Sequence, residues 1–181
     1  MRLNLGCGME RVPGWVGVDK YGSPEVQCDL EVMPWPWPTS SVDEIRLHHV
    51  LEHLGAGKET FIAIVKEMYR VLKPSGRVRI TVPHPRCDDF LNDPTHVRVV
   101  TPEVMSLFSK RLNREWAKNK ESNTPLGLYH DVDFEIGDIE IGTDKGWTEK
   151  HPGASMETIV EHAKYFNNVI REITIHMQAV K

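Results

Sequence analysis

The sequence predicts an α/β fold built on a parallel sheet, and three observations carry that prediction. A strand-like segment, Arg2-Leu-Asn-Leu5, alternates leucine with polar residues and runs into Gly6-Cys7-Gly8. A second strand, Trp15–Asp19, follows closely and ends in a carboxylate. Farther on, an amphipathic helix over Lys58–Lys73 leads into a strand over Arg77–Val82, the helix-then-strand order of parallel sheets. The chain has 181 residues, which suits a single domain over 1–181 with a sizeable core. Its hydrophobic fraction of 40% and charged fraction of 27% are those of a soluble globular protein. A net charge of −4 gives no basic field for nucleic acid, so a nucleic-acid partner is not expected. Cys7, Cys28 and Cys87 are an odd count without C-x-x-C or metal-ligand spacing, which points to a reducing, cytoplasmic setting. No signal peptide and no bilayer-spanning apolar run is read.

Glycine has no Cβ, so Gly6 and Gly8 permit φ > 0 and close approach of a ligand to the backbone. If the first two strands are parallel neighbours, Asp19 sits beside this turn, at the carboxyl edge where open α/β sheets bind ligands. There it can accept both hydroxyls of a ribose; the bland alternative is an ordinary tight turn. A dinucleotide fingerprint is a poor match. Arg11 holds the place of its third glycine, Asp19 comes too early, and Pro13-Gly14 leaves no room for a multi-turn helix. S-adenosylmethionine carries no phosphate and does not need that helix dipole. The segment L-N-L-G-C-G, followed closely by P-G-W and V-D, resembles the small class I S-adenosylmethionine-dependent methyltransferases. Asn4 stands where that superfamily usually has an acid, and Glu10 where it usually has a third glycine. The resemblance implies a Rossmann-like, mostly parallel sheet with an antiparallel last strand, and a shortened first crossover. It also implies S-adenosylmethionine as cofactor, held by Asn4, Gly6, Cys7, Gly8, Asp19 and Lys20.

Val26–Leu30 reads as a third short strand. By the resemblance, Asp29 and Leu30 face the adenine there; the alternative is a surface aspartate capping a turn. Met33-Pro-Trp-Pro-Trp-Pro38 is too rich in proline for a regular element. Its tryptophans invite a sulfonium cage by cation–π attraction, but packing over the sheet edge is the preferred reading. Asp43–His49 is the fourth strand and leads into Val50-Leu-Glu-His-Leu54, similar to the family's H-V-L-E-H-L. In that fold its end lies under the reactive part of the cofactor, which makes His48 and His49 binding candidates. A metal site at the two histidines is disfavoured because adjacent strand residues face opposite ways. Glu52 and His53 are read as bracing the next helix, so no metal is assigned. That helix has Phe61, Val65, Met68 and Leu72 on one face, with Pro74 as its stop and Gly76 as a left-handed turn. The stretch Glu67–Gly76 resembles the family's E-x-x-R-V-L-K-P-G-G and is read as structural.

Beyond the fifth strand the segment His84–His96 is polar and broken by proline. His84, Asp88, Asp89, Asp93 and His96 offer oxygen and imidazole ligands, but without a recognised ligand spacing; loop caps and a general base are the alternative. His96 is the favoured base, oriented by a nearby carboxylate, and His84 is the second candidate. Thr101-Pro-Glu103 starts a helix running to about Leu112. Residues 113–131 read as a loop; Lys110, Arg111, Arg114, Lys118 and Lys120 there suggest a lid over an anionic acceptor, or a solvated face. Val132–Ile136 and the residues after it form a strand with a bulge at Gly137-Asp138, and Val169–Ala179 forms the last strand. Residues 84–131 and 142–155 are expected to shape the acceptor side. Gly146-Trp-Thr and His151–Gly153 either close over it or mediate homodimer contacts. The function expected is methyl transfer to a small-molecule acceptor; a non-catalytic S-adenosylmethionine-binding protein is the rival.

Overall fold

The computed structural model describes residues 1–181 and is organised around one seven-stranded sheet. Its strands are β1 (Arg2–Leu5), β2 (Val16–Asp19), β3 (Val26–Gln27), β4 (Val42–His48), β5 (Leu72–Pro83), β6 (Phe134–Thr143) and β7 (Ile170–Ala179). They lie in the order β3-β2-β1-β4-β5-β7-β6, with β7 antiparallel to both neighbours and the first five mutually parallel. Leu5 sits between Val18 of β2 and Leu47 of β4. Strand order reverses between β1 and β4, and the carboxyl ends of that pair form the crevice where such sheets bind ligands. No helix separates β1 from β2. Two backbone turns, Glu10 N–H to Cys7 O and Trp15 N–H to Val12 O, make the crossover.

One sheet face is the core. Leu3, Leu5, Val18, Ile45, Leu47, Val78, Ile80 and Ile175 are inaccessible or nearly so. Helix α1 (Lys58–Val71) covers them, because Phe61, Ile64, Val65 and Met68 recur at three- and four-residue spacing. The alternate residues point the other way. Asn4, Arg46, Arg79 and His176 stand in register across β1, β4, β5 and β7. Parallel sheets are usually buried on both faces. Here the helix-free β1–β2 and β2–β3 crossovers leave this face polar, and it is laced instead by pairs such as Arg46–Glu10 and His176–Glu140, both at 2.6 Å.

The proline-rich segment is part of the core. Trp35 and Trp37 are buried, edge to face, with centroids 6.3 Å apart. Glu67 accepts the Trp35 backbone N–H at 2.7 Å, while Arg70 donates to the carbonyls of Trp35 and Trp37 at 3.1 and 2.9 Å. The E-x-x-R pair therefore clamps the prolines onto α1, and no tryptophan cage exists.

Several boundaries differ from the sequence reading. Helix α1 ends at Val71, and Leu72 already pairs with Val42 as the first residue of β5. The left-handed residue is Ser75, with φ 61°, and not Gly76. Gly76 is required by crowding instead: a Cβ there would lie 2.9 Å from Leu72 Cδ2 and from the Lys73 carbonyl. After α2 (Asp88–Leu91), Thr101 caps α3 (Pro102–Ser106) as expected, but the helix stops early. Phe108 turns into the core, 6.2 Å from the Phe61 ring, and Ser109 caps a new helix, α4 (Lys110–Asn119). With α5 (Leu126–His130) following, 113–131 is largely helical. Asn113 alone in α4 is buried, so the segment has no apolar stripe to read. The bulge falls where expected, between Ile136 and Ile139. The connection before β7 carries α6 (Lys145–Lys150) and α7 (Met156–Tyr165), capped by Asp144 and Ser155.

Candidate functional site

The turn after β1 uses its two glycines for different reasons. Gly6 has φ +66°, and a Cβ on it would run into the methyl groups of Val50. Gly8 has φ +53°, and a Cβ on it would meet nothing within 4 Å. One glycine closes the turn; the other faces open space. Beside that space, Asp19 Oδ2 accepts the Gly8 N–H at 2.8 Å and Asp19 Oδ1 accepts the Tyr21 N–H at 2.9 Å. An ionised carboxylate has about four lone-pair positions. Each Asp19 oxygen therefore keeps one free, a pair of adjacent acceptors suited to a vicinal diol.

The other turn residues are placed less simply. Cys7 is buried, its N–H donates to the Val18 carbonyl, and its sulfur packs against Gly17, so only its backbone remains for a ligand. Lys20 pairs with Asp29 at 2.7 Å, and this contact holds the Asp29 carboxyl below its ordinary range and the lysine above its own. The Leu30 side chain is in the core, and its carbonyl accepts Trp35 Nε1–H at 3.1 Å. Asn4 lies beneath the turn, 2% exposed; its Oδ1 accepts from Arg46 at 3.1 Å, and its Nδ2 has no acceptor. Arg46 also forks onto Glu10 at 2.6 and 3.3 Å, holding that carboxyl below its usual range. The two positions that depart from the family pattern are thus joined through one guanidinium.

At the carboxyl ends of β4 and β5 lies a polar cavity of about 530 Å³, walled by His49, Glu52, His53, Asp93, His96 and Arg171 among others. His49 has φ +53° and has left the strand, so its ring swings to 4.6 Å from that of His48. The two rings are neighbours, not opposed as strand alternation predicts. Burial and the adjacent His49 push the His48 imidazole below its usual pKa. Glu52 and then Glu172, the latter 3.2 Å from His49 Nε2, raise that of His49. Glu52 does not brace the helix. Only 1% exposed, it sits on a 3₁₀ turn (Leu51–His53), and neither carboxylate oxygen has a hydrogen-bond partner. Its carbonyl accepts the N–H groups of Val97 and Arg98 at 2.9 and 3.1 Å, which straps the segment after β5 across this turn.

His96 lies in this cavity, but its expected orientation by a carboxylate is not what holds it. Its Nδ1 donates to the Phe90 carbonyl at 2.8 Å, and Asp93 is 3.9 Å from Nε2, beyond hydrogen-bond range. His84 is elsewhere. Its Nδ1 accepts the Arg86 N–H at 3.1 Å, and it lines a separate cavity of about 650 Å³ between the β6–β7 pair, α3 and α7. The two candidate bases therefore do not share a site. Of the basic residues of 110–120, Lys110 pairs with Asp131 and Arg111 with Glu135 at 2.9 Å, and none of the five lines the cavity at the ends of β4 and β5. Trp147 stacks on His151 at 4.4 Å and lines neither cavity. Sequence reasoning missed the orphaned carboxylate of Glu52, whose one visible signal is an acid inside the otherwise apolar Val50–Leu54.

Residues 13–80 match a family model described as a methyltransferase domain. In fold the chain is similar to a S-adenosylmethionine-dependent methyltransferase from Archaeoglobus fulgidus, at 19% identity over 98% of this chain and 85% of that one, with a TM-score of 0.61. It is similar to another from Methanosarcina mazei at 14% identity, over 99% and 92% of the chains, with a TM-score of 0.55. A third likeness is the Burkholderia thailandensis 1,6-didemethyltoxoflavin-N1-methyltransferase, solved with 1,6-didemethyltoxoflavin and S-adenosylhomocysteine. Identity there is 13% over 99% and 71% of the chains, with a TM-score of 0.53. No curated protein matches the chain by sequence.

Proposed function

We propose, on the premise that the chain belongs to the class I S-adenosylmethionine-dependent methyltransferase superfamily, that it methylates a small polar acceptor held over the carboxyl ends of β4 and β5. The observation that carries the cofactor half is the open space at Gly8 beside the two free acceptor positions of Asp19. A ribose diol fits that pair of acceptors. The bound cofactor supplies a methyl already activated on a sulfonium. What this chain's residues must do is hold the ribose at Asp19, give the backbone of Gly6–Gly8 to the rest of the ligand, and align an acceptor atom. Alignment to roughly 3 Å is the main catalytic requirement for such a transfer.

The amino end of the cofactor wants a carboxylate, and Asn4 is not one. In this reading Glu10 supplies the charge from a different point on the chain, with Arg46 fixing it against Asn4. The polar cavity beside His48 and His49 is the acceptor space, since it adjoins the end of β4 and is walled largely by polar side chains. Calorimetry with S-adenosylmethionine and S-adenosylhomocysteine, followed by methyl transfer to a panel of small hydroxyl, amine and carbon acids, tests both halves. Binding with turnover on any acceptor supports the reading. Binding without turnover across the panel favours a non-catalytic cofactor-binding role, and no binding at all removes the ribose assignment.

A further inference from the structure

We propose that Glu52, His53 and His96 form a binding site for a divalent transition-metal ion in the wall of the β4–β5 cavity. One nitrogen from each ring and one Glu52 oxygen lie within 4.8 Å of one another. Glu52 is the observation that asks for a cation. It is 1% exposed, faces the cavity, and neither of its oxygens has a hydrogen-bond partner. Its nearest basic neighbour, His49 Nδ1, is 3.5 Å away and outside hydrogen-bonding geometry. His49, shared with Glu172 at 3.2 Å, gives Glu52 an ion pair but no hydrogen bond, so both oxygens of the buried carboxylate are still open to a metal ion.

The hydrogen bonds around the two rings fix which nitrogen each has free. His96 Nδ1 meets the Phe90 carbonyl at 2.8 Å; a carbonyl only accepts, so Nδ1 carries the proton and Nε2 the lone pair. For His53 the argument runs through Thr95. The Thr95 hydroxyl gives its single proton to Asp93 Oδ1 at 2.6 Å, so toward His53 Nδ1, 2.9 Å away, its oxygen accepts. His53 Nδ1 is then the protonated nitrogen, and Nε2 again has the lone pair. A metal-bound histidine almost always donates its other N–H to a carbonyl, carboxylate or comparable partner, and both rings here do so. The ring centroids are 4.5 Å apart.

Two neutral imidazoles and a carboxylate are a donor set for zinc, manganese or ferrous iron, whereas calcium and magnesium prefer oxygen ligands. Three protein ligands leave coordination positions open toward the cavity. An acceptor hydroxyl bound there would be acidified by the ion, so that its proton could pass to water in the polar cavity, with His96 serving as a ligand and not as the base. The ion site does not depend on the methyl-transfer reading, since its test reads metal binding alone.

The full chain, freed of metal with a chelator and dialysed, is titrated with ZnCl2 and MnCl2 by calorimetry, and metal content after purification is measured by mass spectrometry. One ion per chain is expected. Glu52→Gln and His96→Gln should each weaken binding by at least about 100-fold, and Thr95→Val by about 10-fold or more through loss of the support to His53. His84→Gln, in the other cavity, should bind like the parent. Far-ultraviolet circular dichroism establishes folding of each variant. Should Glu52→Gln or His96→Gln fail to fold, Thr95→Val decides, since it leaves all three ligands in place. No saturable binding by the parent, or parent-like binding by Thr95→Val or by a folded ligand variant, overturns the site.

Discussion

Replacing Asp19 by alanine tests the proposed ribose contact apart from the fold, because the carboxylate makes two backbone hydrogen bonds and, in the proposal, two more to the ligand. Each oxygen takes one backbone N–H, from Gly8 and from Tyr21, and keeps one acceptor position for a ribose hydroxyl. Both backbone bonds are exposed, so water can solvate the freed N–H groups. Their loss should cost about 0.5–1.5 kcal/mol each. For a chain of this size that lowers the melting temperature by about 2–12 °C, at about 2–4 °C per kcal/mol. Ligand binding suffers differently. Hydrogen bonds to a charged acceptor are worth about 1.5–3 kcal/mol, and about 1.4 kcal/mol is tenfold in affinity. Asp19→Ala should therefore weaken S-adenosylhomocysteine binding by at least roughly 10- to 150-fold, the loss of one such bond, read by calorimetry on protein shown to be folded. Asp19→Asn keeps one oxygen and should fall between. An Asp19→Ala protein that binds within about threefold of the parent refutes the ribose assignment, whatever its melting temperature.

The two turn glycines should fail in opposite ways. Gly8→Val puts a branched side chain into the open space and should abolish cofactor binding, at a stability cost of about 1–2 kcal/mol for the left-handed backbone; normal binding would move the cofactor away from this turn. Gly6→Ala adds the collision with Val50 to the same backbone cost, so stability should drop further, by about 2–4 kcal/mol in all; an unchanged melting temperature counts against the close approach of Gly6 to Val50. Glu67 gives a pH prediction. Burial alone would raise its carboxyl, but Arg70 and the Trp35 N–H outweigh that and hold it low. A depressed acid stabilises the fold above its ordinary pKa of 4.5 and loses that contribution as pH falls through the folded value. Glu67→Gln should thus be less stable at neutral pH and show a flatter decline in acid, measured by urea denaturation from pH 7 down to 3. An acid limb identical to the parent's places the pH dependence elsewhere.

Much of this architecture is written locally in the chain. The alternation of Arg2–Leu5, the glycines after it and the carboxylate at Asp19 are short-range patterns, and the structure joins the turn to Asp19 by the Gly8 N–H donating to its carboxylate. The four-residue recurrence in α1 and the threonine–proline start of α3 are local as well. What sequence could not supply was of two kinds. Helix α4 buries a single asparagine and is held by caps and by Asp133, so it has no buried apolar stripe and its polar composition reads as loop. The cavity cluster joins two segments distant in sequence, brought together by Val97 and Arg98 on the Glu52 carbonyl, by Thr95 on His53 and by Arg98 on the Gly55 carbonyl.

The histidine pair shows how a sound rule can be applied to the wrong residue. Alternation of side chains holds only while the backbone stays extended. His48 is the last residue of β4, and His49, at φ +53°, has already turned. A positive φ at a residue other than glycine costs of order 1 kcal/mol or more and persists where surrounding contacts fix it. Here those contacts are the His49 N–H to the Thr81 carbonyl, at 2.9 Å, and the ring's approach to Glu172 and Glu52. The strained residue stands at the meeting point of the turn after β4, the end of β5 and the start of β7. It faces the buried carboxylate on one side and the open cavity on the other. That placement explains why the chain departs from strand geometry one residue past the sheet. An extended His49 would direct its ring away from His48, and the cavity would lose the imidazole that lies closest to Glu52.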